Sequence, residues 1–513
     1  MIRSKSAAAL LLLTLAAAAV AAQDVASGVR AIVYGVAPPA IDTGIHPSDP
    51  PRPPRPYPTD INVGSTGLPY LRGSIVVKFR PGTAPQAQRL IVDRVGASAM
   101  DTPSYADFNI VYIDENADPE EAAATIAQQP DVEFAQARYR LHPMFTPNDP
   151  LFPSQWNLRT LDMERAWDLN AGASSSIVVA VLDTGVAFEN AVVRRNVPAW
   201  RGSDGTTVFN FPALGVIDIP FAPAPDLGGR DRYVSPRDFI WNDNDPLDMD
   251  GHGTHVTGTI GQLTNNSAGV AGMAFNVKIM PVKVIDSLWD DILGSPFQGT
   301  DDVVARGVHY AVDNGAKVLN MSIGRSGPPS PLLLEALNYA TQHGAFVSIA
   351  AGNDFEQGNP TEWPANYANQ IQGVVAVGAV GPDRARAYYS STGAYVELAA
   401  PGGNQRTGGS AGGVVQQTYD LNFVETYAFG PSRYGPPRFD MFAYLPFQGT
   451  SMAAPHVSGF AALLMQQGIT SPAAIEAAME QFATDLGASG KDDQYGYGLI
   501  NPRAALRGMG LAK

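Results

Sequence analysis

After Asn148 the chain alternates between unbroken apolar runs and stretches in which apolar positions recur every three or four residues. SIVVAVLDTG (176–185) is such a run, as expected of a strand buried on both faces. VKIMPVKVI, AKVLNMSIG, AFVSIAAGN, GVVAVGAV and YVELAAPG repeat the type. Between them DDVVARGVHYAVDNG (301–315) and PLLLEALNYATQHG (331–344) have helical spacing, and each closes on a glycine suited to a left-handed cap. Strands alternating with helices predict an α/β fold with a mostly parallel sheet. In such sheets chemistry gathers at the carboxyl ends of the strands, where Asp183, Ser322 and Asn353 fall.

The preceding pattern is different. From 71 to 141, SIVVKF, FNIVYI and VEFAQARYRL predict strands, while PQAQRLIVDRVG and DPEEAAATIAQQ predict helices, the second capped by Asp118. This order predicts a small ferredoxin-like α+β sandwich, marginal in stability at its size. A proline-dense stretch at 37–60 reads as an extended spacer. Residues 1–22 pair Arg3 and Lys5 with an apolar middle and a small-residue end, the pattern of a secretory leader. The expected divisions are a leader (1–22), a linker (23–70), a small domain (71–144) and a main domain (145–513). Two Gly- and Pro-rich stretches of weak periodicity, 188–234 and 404–447, are expected to be long surface loops.

Composition narrows the classes. A formal net charge of −15 argues against nucleic-acid or anionic-membrane partners, and no run after the leader is long enough to span a bilayer. The chain has no cysteine, so disulfides, thiolate metal sites and a cysteine nucleophile are excluded. An exported protein without disulfides needs another clamp, and calcium is the candidate.

GTSMAAPHVSGFAALLM (449–465) delivers one hydroxyl, Ser451, at a predicted helix N-terminus, where free N–H groups would stabilise a developing negative charge. Pro455 is expected in the first turn, where its missing N–H costs nothing. A serine is a weak nucleophile unless an imidazole lies within about 3 Å, and the imidazole needs a carboxylate to fix its tautomer. His252 in GHGTHVTG and Asp183 in LDTG supply both, in the chain order Asp, His, Ser.

Through AVLDTGV, GHGTHVTG, LNMSIG, IAAGN and GTSMAAPHVSG, in that order, the chain resembles the subtilisin family of serine endopeptidases. The resemblance spans 148 to about 506 and implies the subtilisin-like three-layer sandwich, with the preceding unit as inhibitory propeptide. It implies that Asp183 orients His252, that His252 is the base, that Ser451 is the nucleophile and that Asn353 is an oxyanion donor. His255 is then structural. Ser322, Ile323 and Gly324 correspond to the edge that pairs with an extended substrate, implying broad specificity. A cis bond is expected before Pro364.

The thermitase-like members of the family imply two calcium sites. One takes Asp149, Asn266 and the carbonyls of Leu263, Ala268 and Val270, with a further carboxylate from in or near the first insertion that the sequence does not place. The other takes Asp238, Asp243 and Asp245, within a stretch holding five aspartates in thirteen residues, with Leu247 offering backbone alone. The expected protein is a secreted monomer acting on proteins and peptides, inhibited by its own propeptide until cut between His142 and Asn148. Competing readings are a kexin-type processing enzyme, with Glu356 and Glu362 as acidic pocket walls, and an inert scaffold.

Overall fold

The computed structural model describes residues 61–63, 69–139, 145–203, 208–424 and 436–508. The leader, the proline-dense stretch and the segment Arg140-Leu141-His142-Pro143, which leads into the expected cleavage region, lie outside them. The chain forms two compact units, Met1–Leu141 and His142–Lys513.

In the first unit Pro69–Phe79 lies between Val132–Tyr139 and Asn109–Tyr112, with Ala99–Asp101 beyond, all antiparallel. Numbered along the chain, this is the 4-1-3-2 order of the ferredoxin-like sandwich. Pairing reaches back to Ile61–Val63, which runs against the start of the long strand. The helix Pro119–Ala127 starts where predicted, because the Asp118 carboxylate accepts the Glu120 N–H at 2.8 Å. Ala99–Asp101 was not predicted; three residues are too few to show a period.

The second unit is built on a seven-stranded parallel sheet. Its order is Arg237–Asp238, Lys278–Lys283, Val178–Asp183, Val318–Met321, Phe346–Ala350, Val374–Val380 and Val396–Pro401. Every second side chain faces the same way. Val179 and Val181 therefore join a core with Val256, Ile260 and Phe460 on one face, while Ala180 and Leu182 join Val304, Leu333 and Leu337 on the other. Two cores with helices over both faces make the three layers. The helix Thr450–Gln466 crosses the middle strands and is buried along nearly its whole length. No helix among the described residues is long and apolar enough to cross a membrane.

The two insertions are not long surface loops. Ala191–Val197 pairs with Gly215–Phe221, Trp200–Ser203 with Val208–Phe211, and Val414–Tyr419 with Phe442–Phe447, all antiparallel. Ile217, Ile219 and Phe221 do alternate along their strand, but flanking glycines and prolines break the signal into pieces shorter than a useful window. The hairpins also feed the main core. Val197, Ile219, Val414 and Tyr419 are fully buried, and Phe439 stacks on Phe221 at 4.7 Å.

Truncating Phe439 tests this. A surface-loop residue would change stability within about 0.5 kcal/mol. Because Phe439 is fully buried, Phe439→Ala is expected to cost about 3–5 kcal/mol, read as a lowered unfolding midpoint.

Candidate active site

Asp183 is the last residue of the strand Val178–Asp183 and is 1% exposed. The helix His252–Gly261 starts directly over that strand end, and Gly253 explains how it comes so close. A Cβ there would lie 2.1 Å from the Gly185 carbonyl oxygen and 3.1 Å from Asp183 Cβ. With no side chain in the way, His252 Nδ1 meets Asp183 Oδ1 at 2.7 Å. Thr184 N–H donates to the same oxygen at 2.8 Å.

The helix start is held by a residue that sequence reasoning did not single out. Asp248 is fully buried and accepts from the backbone N–H of Asp250, Gly251 and Thr254 at 3.0, 2.8 and 3.0 Å. It also accepts the hydroxyls of Thr254 (2.6 Å) and Thr184 (3.0 Å). A carboxylate spent on free N–H groups at a helix N-terminus is a capping role. Its signal was an acid four residues before the histidine, hidden among neighbouring aspartates.

Ser451 is the second residue of Thr450–Gln466. Pro455 is the sixth, not in the first turn as expected, and the N–H it lacks would have bonded to the Ser451 carbonyl. Ser322 fills the gap: its hydroxyl donates to Ser451 O at 2.8 Å, while Ser451 Oγ donates to Ser322 O at 3.2 Å. Behind it, Asn320 Nδ2 donates to Ser322 Oγ (3.0 Å), and Ser458 Oγ donates to Asn320 Oδ1 (2.9 Å). Ser451 Oγ thus rests on Ser322.

Asn353 follows the strand Phe346–Ala350 by three residues. Its Oδ1 accepts the Thr450 N–H and hydroxyl at 2.9 and 3.0 Å, leaving the Nδ2 hydrogens for the pocket it lines. That pocket brings together His252, Asn353, Ser451 and Met452 with Gln405, Pro446, Phe447 and Gln448. Gln405, Pro446 and Phe447 come from the second insertion, so it borders the site.

Ser322, Ile323 and Gly324 run beside the serine, and the backbone of Ile323 and Gly324 takes no backbone hydrogen bond among the described residues. Arg325 then pairs with Trp363, and the Trp363–Pro364 bond is cis. Glu362 lies beneath. Its Cγ is 2.3 Å from where a Gly352 Cβ would sit, and its Oε2 is 4.0 Å from a Gly324 Cβ. It is 3% exposed, and its Oε1 is buried without a hydrogen-bond partner. Burial and the neighbouring Asp354 push its carboxyl up to about 7. Glu356 is no counterpart, since Arg406 binds both its oxygens at 2.5 and 2.8 Å.

His255 is fully buried, stacks on Phe447 at 4.4 Å and directs Nε2 at the carbonyls of Val414 and Leu445. Burial drives it down to about 3, so it stays neutral and structural.

Both expected calcium loops gather oxygen ligands. Asp149 and Asn266 meet, Asp149 accepting the N–H of Asn265 and Asn266 at 2.7 and 3.2 Å. Asp226, a carboxylate of the first insertion, lies beside them and accepts Asn266 Nδ2 at 2.7 Å and the Val270 N–H at 3.2 Å. A Cβ on Gly269 would lie 2.1 Å from Asp226 Oδ2, so only glycine leaves that oxygen room. The carbonyls of Leu263, Ala268 and Val270 take no backbone hydrogen bond among the described residues. This donor set fits calcium.

In the other loop Asp238, Asp243 and Asp245 line one pocket with Glu189, a residue of the first insertion that the sequence did not suggest. Asp238 is 1% exposed, its Oδ2 has no partner, and burial raises it to about 7. Leu247 does not contribute as expected: its carbonyl accepts the buried Lys283 ammonium at 2.9 Å.

The profile of the subtilase family, Peptidase S8, matches residues 174–498, and that of the fervidolysin N-terminal prodomain matches residues 56–137. The chain is 31% identical to a thermophilic serine proteinase from a Bacillus species, over 87% of this chain and 90% of that one. It is 32% identical to thermitase from Thermoactinomyces vulgaris, over 71% of this chain and 100% of that one. Among solved structures, fervidolysin from Fervidobacterium pennivorans shares the fold at 24% identity and TM-score 0.50, over 85% of this chain and 61% of its own.

The pair at the strand end has a measurable titration. Burial pulls the His252 ring down, but the charge and hydrogen bond of Asp183, with the charges of Asp250 and Asp248, outweigh it and raise the ring to about 9. Nitrogen NMR of the ring is expected to show a midpoint near that value. Asp183→Asn removes the largest raising cause, so the midpoint is expected to fall to or below the ordinary histidine value of about 6.5. An unchanged midpoint would mean that Asp183 does not hold the proton.

Proposed function

The chain belongs to the subtilase family of serine endopeptidases, and from that premise we propose that Asp183, His252 and Ser451 hydrolyse peptide bonds through an acyl-enzyme. Ser451 Oγ attacks the carbonyl carbon as its proton passes to His252 Nε2. The carbonyl oxygen, now negative, is held by Asn353 Nδ2–H and the Ser451 N–H. Collapse breaks the C–N bond, and His252 gives the proton to the leaving amine. Water repeats the sequence on the ester and frees Ser451. Asp183 keeps Nδ1 protonated and stabilises the imidazolium. The observation that carries this reading is the pocket shared by His252, Asn353 and Ser451, with Asp183 bonded behind His252 at 2.7 Å.

The substrate lies extended along Ser322, Ile323 and Gly324, where backbone pairing tolerates many side chains. One observation favours a narrower second reading. The residue whose carbonyl is attacked would direct its side chain between Gly324 and Gly352 towards Glu362, whose carboxylate, with Oε1 unpartnered, suits lysine or arginine.

Residues 1–22 direct export. Residues 71–144 act as an inhibitor within the same chain, and self-cleavage between His142 and Asn148 releases a mature enzyme from about residue 145. Calcium is held by Asp149, Asp226 and Asn266 with the carbonyls of Leu263, Ala268 and Val270, and by Asp238, Asp243, Asp245 and Glu189. When bound it neutralises buried carboxylates and ties loops together, as disulfides do elsewhere.

Three outcomes are expected. Asn353→Ala lowers kcat by about 10²–10³ with little change in KM, the range found for such a donor in subtilisin; a loss of only a few-fold would remove Asn353 from the oxyanion site. Chelation lowers the thermal midpoint, and Asp226→Asn shrinks that drop; a midpoint indifferent to chelator contradicts calcium. In peptide-library cleavage, a wild-type preference for lysine and arginine that Glu362→Gln abolishes supports the narrow reading, whereas an even profile in both supports the broad one.

A further inference from the structure

The pocket at the serine opens to one side of it. Its lining includes His252, Asn353 and Ser451 but none of Ser322, Ile323 and Gly324, the edge given to the substrate before the cut bond. The half of the substrate that leaves therefore passes through this pocket. Gln405, the second residue of the second insertion, lines it, and two contacts fix how it does so. Its backbone N–H donates to Gln448 Oε1 at 2.7 Å, and its side-chain Nε2 donates to Pro446 O at 2.6 Å. The second contact also settles which end of the amide is which, since turning it over would set oxygen against the Pro446 carbonyl. Oε1 is left as the free end. It takes no hydrogen bond among the described residues and is not closed off from solvent.

We propose that Gln405 binds the leaving half of the substrate, its Oε1 accepting a backbone N–H from beyond the cut bond, a contact that rests on the acyl-enzyme reading above. The neighbours hold the residue to that task. Arg406 binds both oxygens of Glu356, in the segment that follows Asn353, and lies 3.5 Å from the centre of the Tyr388 ring. Tyr388 OH in turn accepts Gln448 Nε2 at 2.9 Å, three residues before Ser451. Asn404, 5% exposed, accepts the Thr407 N–H at 3.4 Å and so starts the short helix Gln405–Gly408. The first turn of the insertion is thus tied to the segments of both Asn353 and Ser451, as a group that must be placed accurately requires. The chemistry also suits the place. Asn353 Nδ2 is a donor and would repel an N–H, whereas Gln405 presents the acceptor that a peptide N–H stripped of water needs. The contact serves the acyl step in both directions. It holds the leaving segment while His252 protonates its nitrogen. In reverse, an amine nitrogen bonds to the ester carbon, the C–O bond to Ser451 breaks, and the amine's proton passes through His252 to Ser451 Oγ.

The test compares two substrates that share one acyl half, with enzyme matured from the whole chain. One is a methyl ester, whose leaving group has no N–H; the other is a peptide that continues well beyond the cut bond. Gln405→Met keeps the length of the side chain and removes the acceptor. It is expected to lower kcat/KM on the peptide about three- to tenfold, the value of one hydrogen bond, and to leave the ester unchanged. Transfer of the acyl group to an added dipeptide amide, relative to water, should fall by the same factor. Replacing the N–H groups beyond the leaving nitrogen one at a time with ester oxygen should, at one position, cost the wild type that factor and the variant nothing more. Gln405→Ala gives the same reading if Gln405→Met does not mature. An equal fall on both substrates would make Gln405 structural, and no fall on the peptide, or no position that couples to the substitution, would remove it from the site. A wild type inert on both substrates would overturn the acyl-enzyme reading itself, and this contact with it.

Discussion

The 2.7 Å contact between Asp183 and His252 is the constraint around which the second unit is arranged. It demands that a helix begin almost in contact with the end of a buried strand, and three features answer that demand. Gly253 removes the side chain that would collide with Gly185. Asp248 takes up the N–H groups that the helix start leaves free. The strand itself is held between two cores. The serine side obeys a parallel rule. Pro455 strips a hydrogen bond from the Ser451 carbonyl, and Ser322 replaces it from the neighbouring strand end. Ser451 is therefore fixed to the sheet through its backbone.

Much of this was legible in the sequence because it rests on local patterns. The double-faced strands, the glycine-closed helices, the Asp118 cap and the five motifs each occupy a few adjacent residues. What stayed hidden depends on partners distant in the chain. Asp226 meets Asn266, forty residues later, only through folding. Glu189 joined Asp238, Asp243 and Asp245 in the same way. Leu247 was assigned a carbonyl for metal that a buried lysine thirty-six residues away already uses. The insertions misled for a different reason, since glycine and proline at strand ends imitate loop composition while the residues between them alternate normally.

Buried carboxylates with an unpaired oxygen recur among the described residues of this cysteine-free chain. Asp238, Glu362 and Glu397 each have an oxygen buried with no hydrogen-bond donor, and each stands beside other acids. Such groups are expensive unless a cation completes them. At Asp238 the completing partner we propose is a metal ion, and at Glu362 a substrate side chain. In this account one physical problem, neutralising buried oxygen, underlies both the stabilisation of the fold and the choice of substrate.

The account turns on Ser451 acting as a nucleophile on the chain's own polypeptide as well as on others. The most direct measurement is the intact mass of the exported protein, wild type and Ser451→Ala, expressed side by side. The account predicts a wild-type chain that begins between His142 and Asn148, and a variant that keeps residues 71–144 attached. Identical cutting in both would contradict it, because the cleavage would then not depend on Ser451.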